Sequence, residues 1–182
     1  LSGSSPEHVE KAYAFLREKL PAAGLMLRCC GAPADWAGRK EIFAASQAEF
    51  RAEYEKLGKP KVILACSSCY QVFQKHYPDV EIVSLWTLYA QYGLEQVPGR
   101  VFPAKITVHD PCSTRYENGI QGSVRDILQK LGCEIEELPN SREKTECCSY
   151  GGLMWLANRP VAEKMVERRI SESPLDYVTY CA

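Results

Sequence analysis

The sequence predicts an α/β protein built as two similar βαβ-type lobes, with short parallel sheets and cysteine sites at the carboxyl ends of strands. Three observations predict it. One order of events occurs twice: adjacent cysteines, a helical stretch, then a β-branched or aromatic run ending in cysteine. The first copy is Cys29-Cys30-Gly31 with the run 61–66, which continues to Cys69; the second is Cys147-Cys148-Ser149 with the run 177–181. Short apolar runs alternate with helical periodicity along the chain, the pattern of parallel strands joined by crossover helices. Residues 93–103, with two prolines and two glycines, read as a linker, which divides the chain into a first repeat over 1–95 and a second over 96–182.

Ser4 or Ser5 is placed to cap a first helix with Pro6 in its opening turn; Val9, Ala12, Leu16 and Leu20 recur at helical spacing, and Pro21 ends it. Residues 24–28 read as a short strand delivering Cys29 and Cys30. Asp35 is the expected cap of the next helix, with Trp36, Phe43, Phe50 and Leu57 on one face and Gly58 and Pro60 closing it. Residues 61–65 form a buried strand candidate ending at Cys66 and Cys69. Residues 81–84 form another, followed by a short segment around Trp86 and Tyr89.

The second repeat opens with a strand at 105–108 and the turn His109-Asp110-Pro111-Cys112. A helix follows with Ile120, Val124, Ile127 and Leu131 inward and Gly132 at its end. A strand at 134–138 and a polar loop lead to Cys147 and Cys148. Pro160 then opens a helix whose Val161, Met165, Val166, Arg169 and Ile170 share a side, before a strand at 177–180. In open α/β sheets ligands collect beyond the carboxyl ends of strands, so Cys29, Cys66, Cys112 and Cys181 are expected at such ends.

A chain of 182 residues with 46% hydrophobic composition can bury a substantial core without staples. Its nine cysteines are odd in number and broadly spaced, and no signal peptide or membrane-length apolar run is present, so the expected state is reduced thiols in the cytoplasm. A formal charge of −1 without a basic block argues against nucleic-acid or anionic-membrane partners, and no direct membrane insertion is expected.

A structural zinc site takes two Cys-x-x-Cys-type pairs around one tetrahedral ion, and one complete Cys-x-x-Cys is present, Cys66 to Cys69. Adjacent cysteines fit a single ion badly, because Cα atoms about 3.8 Å apart send neighbouring side chains in diverging directions. A polynuclear iron-sulfur cluster accepts diverging thiolates on different irons.

This order of cysteines resembles the CCG, or cysteine-rich, domain family found in heterodisulfide reductases and in the iron-sulfur subunits of glycolate and lactate oxidation systems. The family pattern is an isolated cysteine, Cys-Cys-Gly, then Cys-x-x-Cys, generally in two copies. The resemblance implies that the first copy supplies Cys29, Cys30, Cys66 and Cys69 and the second Cys112, Cys147, Cys148 and Cys181, as ligands of one or two non-cubane [4Fe-4S] clusters. It further implies a redox module of a larger oxidoreductase, similar to heterodisulfide reductase, working in electron transfer or thiol-disulfide reduction, served by a flavin or iron-sulfur subunit and acting on a small disulfide. By the same pattern the isolated cysteine of the first copy falls before Leu1 and the last of the second beyond Ala182, and Ser149 stands where the second Cys-Cys-Gly has glycine. Gly151 and Gly152 are expected to supply the tight turn there.

Two other readings stand beside this one. A zinc-stabilised interaction domain without redox activity, or zinc in one lobe, uses the same thiolates; a cluster-free dithiol enzyme uses Cys66 and Cys69 alone. Cys133 belongs to neither repeat and reads as core. His109 reads as a hydrogen-bonded structural residue, His8 and His76 as surface, and Arg115 as either a counter-charge for the thiolates or a solvated helix-start residue.

Overall fold

The computed structural model describes residues 5–94, 99 and 101–181. Among these the chain forms eight α-helices and five strands. The first lobe contains α1 (Pro6–Lys19), α2 (Ala32–Trp36), α3 (Lys40–Lys56), β1 (Val62–Leu64), α4 (Ser67–His76), β2 (Ile82–Ser84) and α5 (Leu85–Tyr92). The second contains β3 (Lys105–His109), α6 (Asn118–Lys130), β4 (Glu134–Glu136), α7 (Met154–Ala157), α8 (Arg159–Ile170) and β5 (Asp176–Thr179). A 3-10 turn at Cys112–Thr114 follows β3. The expected division at 95/96 falls on residues outside those described, as do parts of the expected linker.

Both sheets are parallel and short, as predicted. β1 pairs with β2, with Val62 beside Ile82 and Leu64 beside Ser84. In the second lobe the order is β4-β3-β5, so β3 is flanked on both sides and residues 106–109 are buried. A central parallel strand reads as a continuous apolar run for that reason. β4 ends at Glu136, short of the expected 138, because β3 pairs with residues 134–136 and no further.

The first core is aromatic. Phe50 meets Phe73 and Tyr77 edge-on, each at 4.8 Å between ring centroids, with Phe43, Tyr54 and Val72 around them. The second core is aliphatic, with Ile106, Val108, Ile120, Val124 and Leu128 packed on Tyr180 and Cys133. Trp86 of α5 packs against this second cluster, so the end of the first lobe is fastened to the second.

Four local expectations change. Residues 24–28 form no strand, and Leu25 and Leu27 are 50% and 62% exposed. Their counterpart, β4, is a strand because β3 pairs with it; among the described residues the first lobe has nothing in the place of β3, so 24–28 has no ladder to join. Asp35 lies inside α2, and Arg39 precedes α3, because the chain starts helical at Ala32 directly after the glycine turn; Trp36 and Leu57 are consequently exposed while Phe43 and Phe50 are buried. On α8 the inner face centres on Ala162 and Arg169, and Val161 and Ile170 point outward. His76 is half-buried, its ring edge-on to Phe43 at 4.8 Å.

Candidate functional site

Each cysteine pair sits in the same turn. The N–H of Gly31 donates to Cys29 Sγ at 3.4 Å, and the N–H of Ser149 donates to Cys147 Sγ at 3.2 Å. The donor two residues on is left-handed in both turns, with φ of 84° at Gly31 and 58° at Ser149, which turns the following chain away from the pair. The expected relief by Gly151 and Gly152 is therefore replaced by Ser149 itself. A left-handed non-glycine residue costs about 1–2 kcal/mol, which the fully buried Ser149 hydroxyl offsets by donating between the carbonyls of Cys148 at 2.7 Å and Ala162 at 2.8 Å. At Gly31 the glycine is required on a second ground: a Cβ would stand 2.7 Å from the Phe43 ring.

The remaining cysteines lie at element ends. Cys66 caps α4 just after β1 and Cys69 lies in the first turn of α4. Cys112 starts the turn after β3, and Cys181 lies beyond β5. The expectation of strand-end cysteines holds for these; the pair Cys29-Cys30 instead follows an extended, unpaired segment.

The structure brings Cys30, Cys66 and Cys69 together: the Cys69 thiol hydrogen-bonds to both others. The bond to Cys69 lowers the Cys30 thiol to about 7 against the opposing effect of burial, while Cys69, hydrogen-bonded to both neighbouring sulfurs, is pushed up and keeps its proton. In the second lobe Cys112 lies beside Cys147 and Cys148, and burial followed by their negative field raises it. Cys181 sits between the two groups. Burial and the nearby Cys66 push it up to about 11, with further contributions from Cys148 and Cys112, and Ser68 hydrogen-bonds to it. The residue as a whole keeps an exposed, solvent-facing side.

Two features mark this junction. Ser67 Oγ donates to the buried carbonyl of Tyr180 at 3.1 Å, tying the residue after Cys66 to the residue before Cys181. Beside Cys112, a cleft of about 300 Å³ lies between α4 and the following turn, lined by Gln71, Gln74, Ser113, Arg115, Tyr116 and Glu117.

Below Cys112 lies a buried ionic knot that the sequence reading missed. The Asp110 carboxylate, with no exposed surface, accepts both terminal nitrogens of Arg125 at 2.9 Å, the backbone N–H of Arg142 at 2.8 Å and Tyr180 Oη at 2.8 Å. Its own carbonyl accepts Thr145 Oγ1 at 2.7 Å. Burial alone would raise this carboxyl; the donors overcome it and hold it below the ordinary carboxylate range. Arg125 is in turn bidentate to Glu137 and stays charged. The visible signal was the polar pair Gln121 and Arg125, one turn apart on the inner face of α6.

The other expected residues take structural places. His109 Nδ1 accepts Arg169 Nε at 3.0 Å in the interior, Cys133 is buried in the second core, and His8 is exposed. Arg115 is half-buried and takes the counter-charge role: it donates to the Thr145 carbonyl at 2.7 Å, two residues before Cys147, and its charge works against the burial that raises the Cys112 thiol.

The donor set consists of thiols. All nine cysteines are free, and although Cys30, Cys66 and Cys69 are neighbours, no group of three or more cysteine, histidine or carboxylate side chains among the described residues is arranged to hold one ion. Sulfur-only donors in neighbouring groups suit soft, thiophilic metals, and the spread of paired thiols suits a group with several metal centres better than one ion.

Fold and site together define a two-lobed α/β protein with a repeated thiolate site. The family model "Cysteine-rich domain", CCG, matches residues 6–74 and 106–174, and the chain belongs to that family. It is similar to the EtfAB:quinone oxidoreductase of Syntrophomonas wolfei, 25% identical over 156 residues, covering 81% of this chain and 22% of the relative. A protein of Bacillus subtilis named "Probable iron-sulfur-binding oxidoreductase FadF" is 27% identical over 135 residues, 65% of this chain and 18% of that one. A component of the dihydromethanophenazine:CoB–CoM heterodisulfide reductase of Methanosarcina barkeri is 23% identical over 158 residues, 80% of this chain and 39% of that component. The chain thus spans less than half the length of these three relatives. Among the described residues no helix is long and apolar enough to cross a membrane.

Proposed function

We propose that the chain is an iron-sulfur redox module of a larger oxidoreductase, with Cys29, Cys30, Cys66 and Cys69 forming one ligand set and Cys112, Cys147, Cys148 and Cys181 the other. The observation that carries it is the repeated turn, in which the N–H two residues on donates to the first sulfur of each pair and the donor residue is left-handed in both. Such donors favour thiolate over thiol and, on a metal-bound sulfur, draw off negative charge and raise the reduction potential. When bound, the cluster supplies one-electron storage. One or two non-cubane [4Fe-4S] clusters fit adjacent thiolates; zinc in one lobe is the alternative for that lobe.

The reaction class that fits is electron relay or reduction of a small disulfide, which needs two electrons and two protons per bond. A flavin or iron-sulfur partner supplies the electrons, in keeping with the oxidoreductase names of the relatives. The cleft beside Cys112 gives a small disulfide a place next to the second set. Free cysteines, four of them (Cys29, Cys112, Cys147 and Cys181) on exposed residues, suit the reducing cytoplasm. The decisive experiment is anaerobic isolation with iron, sulfide and zinc quantified and spectra recorded before and after oxidation. Iron with stoichiometric sulfide and a redox-sensitive spectrum is expected; zinc alone, or a folded chain without metal, overturns the reading.

A further inference from the structure

The four hydrogen bonds to the Asp110 side chain and the one to its carbonyl come from three segments, and of the four segments joined there, counting that of Asp110 itself, three carry cysteines. Cys112 follows Asp110 by two residues, on the turn that leaves β3. The loop carrying Arg142 and Thr145 is tied to Asp110 by a backbone N–H and a hydroxyl, and it leads directly to Cys147. Tyr180, bound through its phenol, is the neighbour of Cys181. Side chains do not converge this way to close a core, because an ion pair in that position is on average no better than apolar packing. A carboxylate offers what apolar packing does not: fixed directions and distances, with every lone pair engaged.

We propose that Asp110 is the positioning residue of the second cysteine set, fixing the mutual spacing of Cys112, Cys147 and Cys181 by holding their three segments on one carboxylate. Arg125 serves as its anchor, bound on the far side to Glu137, so that the carboxylate cannot turn toward any single segment. Through Tyr180, whose carbonyl accepts Ser67 Oγ, the same knot sets Cys181 against Cys66. This role rests on the reading of these cysteines as ligands of a metal group. It separates from that reading because each predicts its own result.

The test compares the anaerobically isolated, iron-containing chain with Asp110→Asn, Tyr180→Phe and a core control, Val124→Ala, whose side chain is buried in the same core cluster as Tyr180 but makes no hydrogen bond to the knot. Iodoacetamide labelling, followed cysteine by cysteine by mass spectrometry, is read beside circular dichroism and the visible spectrum. In Asp110→Asn, Cys112, Cys147 and Cys181 are expected to label at least tenfold faster, with Cys30 and Cys69 still protected and helix content retained. Tyr180→Phe removes one hydrogen bond while keeping the ring, and is expected to accelerate Cys181 severalfold and leave Cys112 within twofold. Val124→Ala is expected to lower the melting temperature with the wild-type labelling pattern. If Asp110→Asn fails to fold, Tyr180→Phe decides alone, and wild-type labelling of Cys181 in it overturns the proposal. Wild-type protection in Asp110→Asn also overturns it, as does the same selective loss in Val124→Ala, which would make the knot ordinary fold support. A wild-type chain without iron, with all site cysteines labelling, instead overturns the cofactor reading and this role with it.

Discussion

In the first lobe the cysteines rest on an aromatic core: Cys30 and Cys69 pack against the cluster of Phe43, Phe50 and Phe73, and Gly31 lies against the Phe43 ring. In the second, the segments bearing Cys112, Cys147 and Cys181 are tied to the buried Asp110, and Ser149 is anchored to α8 through its hydroxyl. The turn around each pair is nevertheless the same. Repetition has preserved the local geometry that aims an N–H at sulfur, while the support beneath it is apolar in one lobe and ionic in the other. A sulfur site therefore depends on the turn first, and tolerates different foundations when each is fully packed or fully hydrogen-bonded.

The largest effect that separates the lobes is expected from Asp110→Ala. It leaves Arg125 buried with half its partners and is expected to cost about 3–5 kcal/mol, seen as a lowered denaturant midpoint. A loss below about 1 kcal/mol would show that the ionic foundation is dispensable. Next comes the turn itself. Gly31→Ala combines a left-handed backbone with a 2.7 Å approach to Phe43 and is expected to cost roughly 1–3 kcal/mol. Ser149→Gly, which relieves strain but loses the hydroxyl bonds, is expected to stay within about 1 kcal/mol of neutral. Equal costs at the two positions in thermal melts would break the comparison.

A smaller difference is expected with pH. Burial first, then the neighbouring Arg169, lowers His109, against the opposing pull of Asp110 and Glu172. The folded chain keeps this ring neutral while the unfolded chain takes up a proton below about pH 6.5. Stability should therefore fall as pH drops below about 6.5, by at most ~1.4 kcal/mol per pH unit, and level off beneath the folded value. His109→Gln should remove that slope in urea titrations between pH 7.5 and 5.5, on the order of the range where free histidine titrates. The smallest effect belongs to Cys133→Ala, about 1 kcal/mol of core packing. Iron content should be unchanged there, whereas Cys147→Ala or Cys148→Ala should lose it; equal loss in all three variants would break the assignment of ligands.

Much of the fold was legible because it is encoded over short distances. Helical spacing in α1 and α6, the proline at the start of α8, and the apolar runs of β1, β3 and β5 each state their own conformation. The cysteine pairs and their trailing cysteines were legible for the same reason, as a pattern repeated along the chain. Residues 24–28 show the limit of such reading: their apolar run occupies the place of β4 in the repeat, yet a strand exists only where another strand supplies its hydrogen bonds.

By itself, then, the sequence determined the two-lobed α/β organisation, the repeated pairs and their expected chemistry, since local spacing and residue type suffice for these. Tertiary structure alone decided that Asp110 and Tyr180, seventy residues apart, share a buried hydrogen bond, and that Cys181 stands between Cys66 and the second set. It also decided that Ser149 can bear the left-handed turn, because its buried hydroxyl reaches the Ala162 carbonyl, thirteen residues on, as well as that of Cys148. Such contacts join distant segments, and their energies depend on burial and on which partners arrive, neither of which is written in the spacing of residues along the chain.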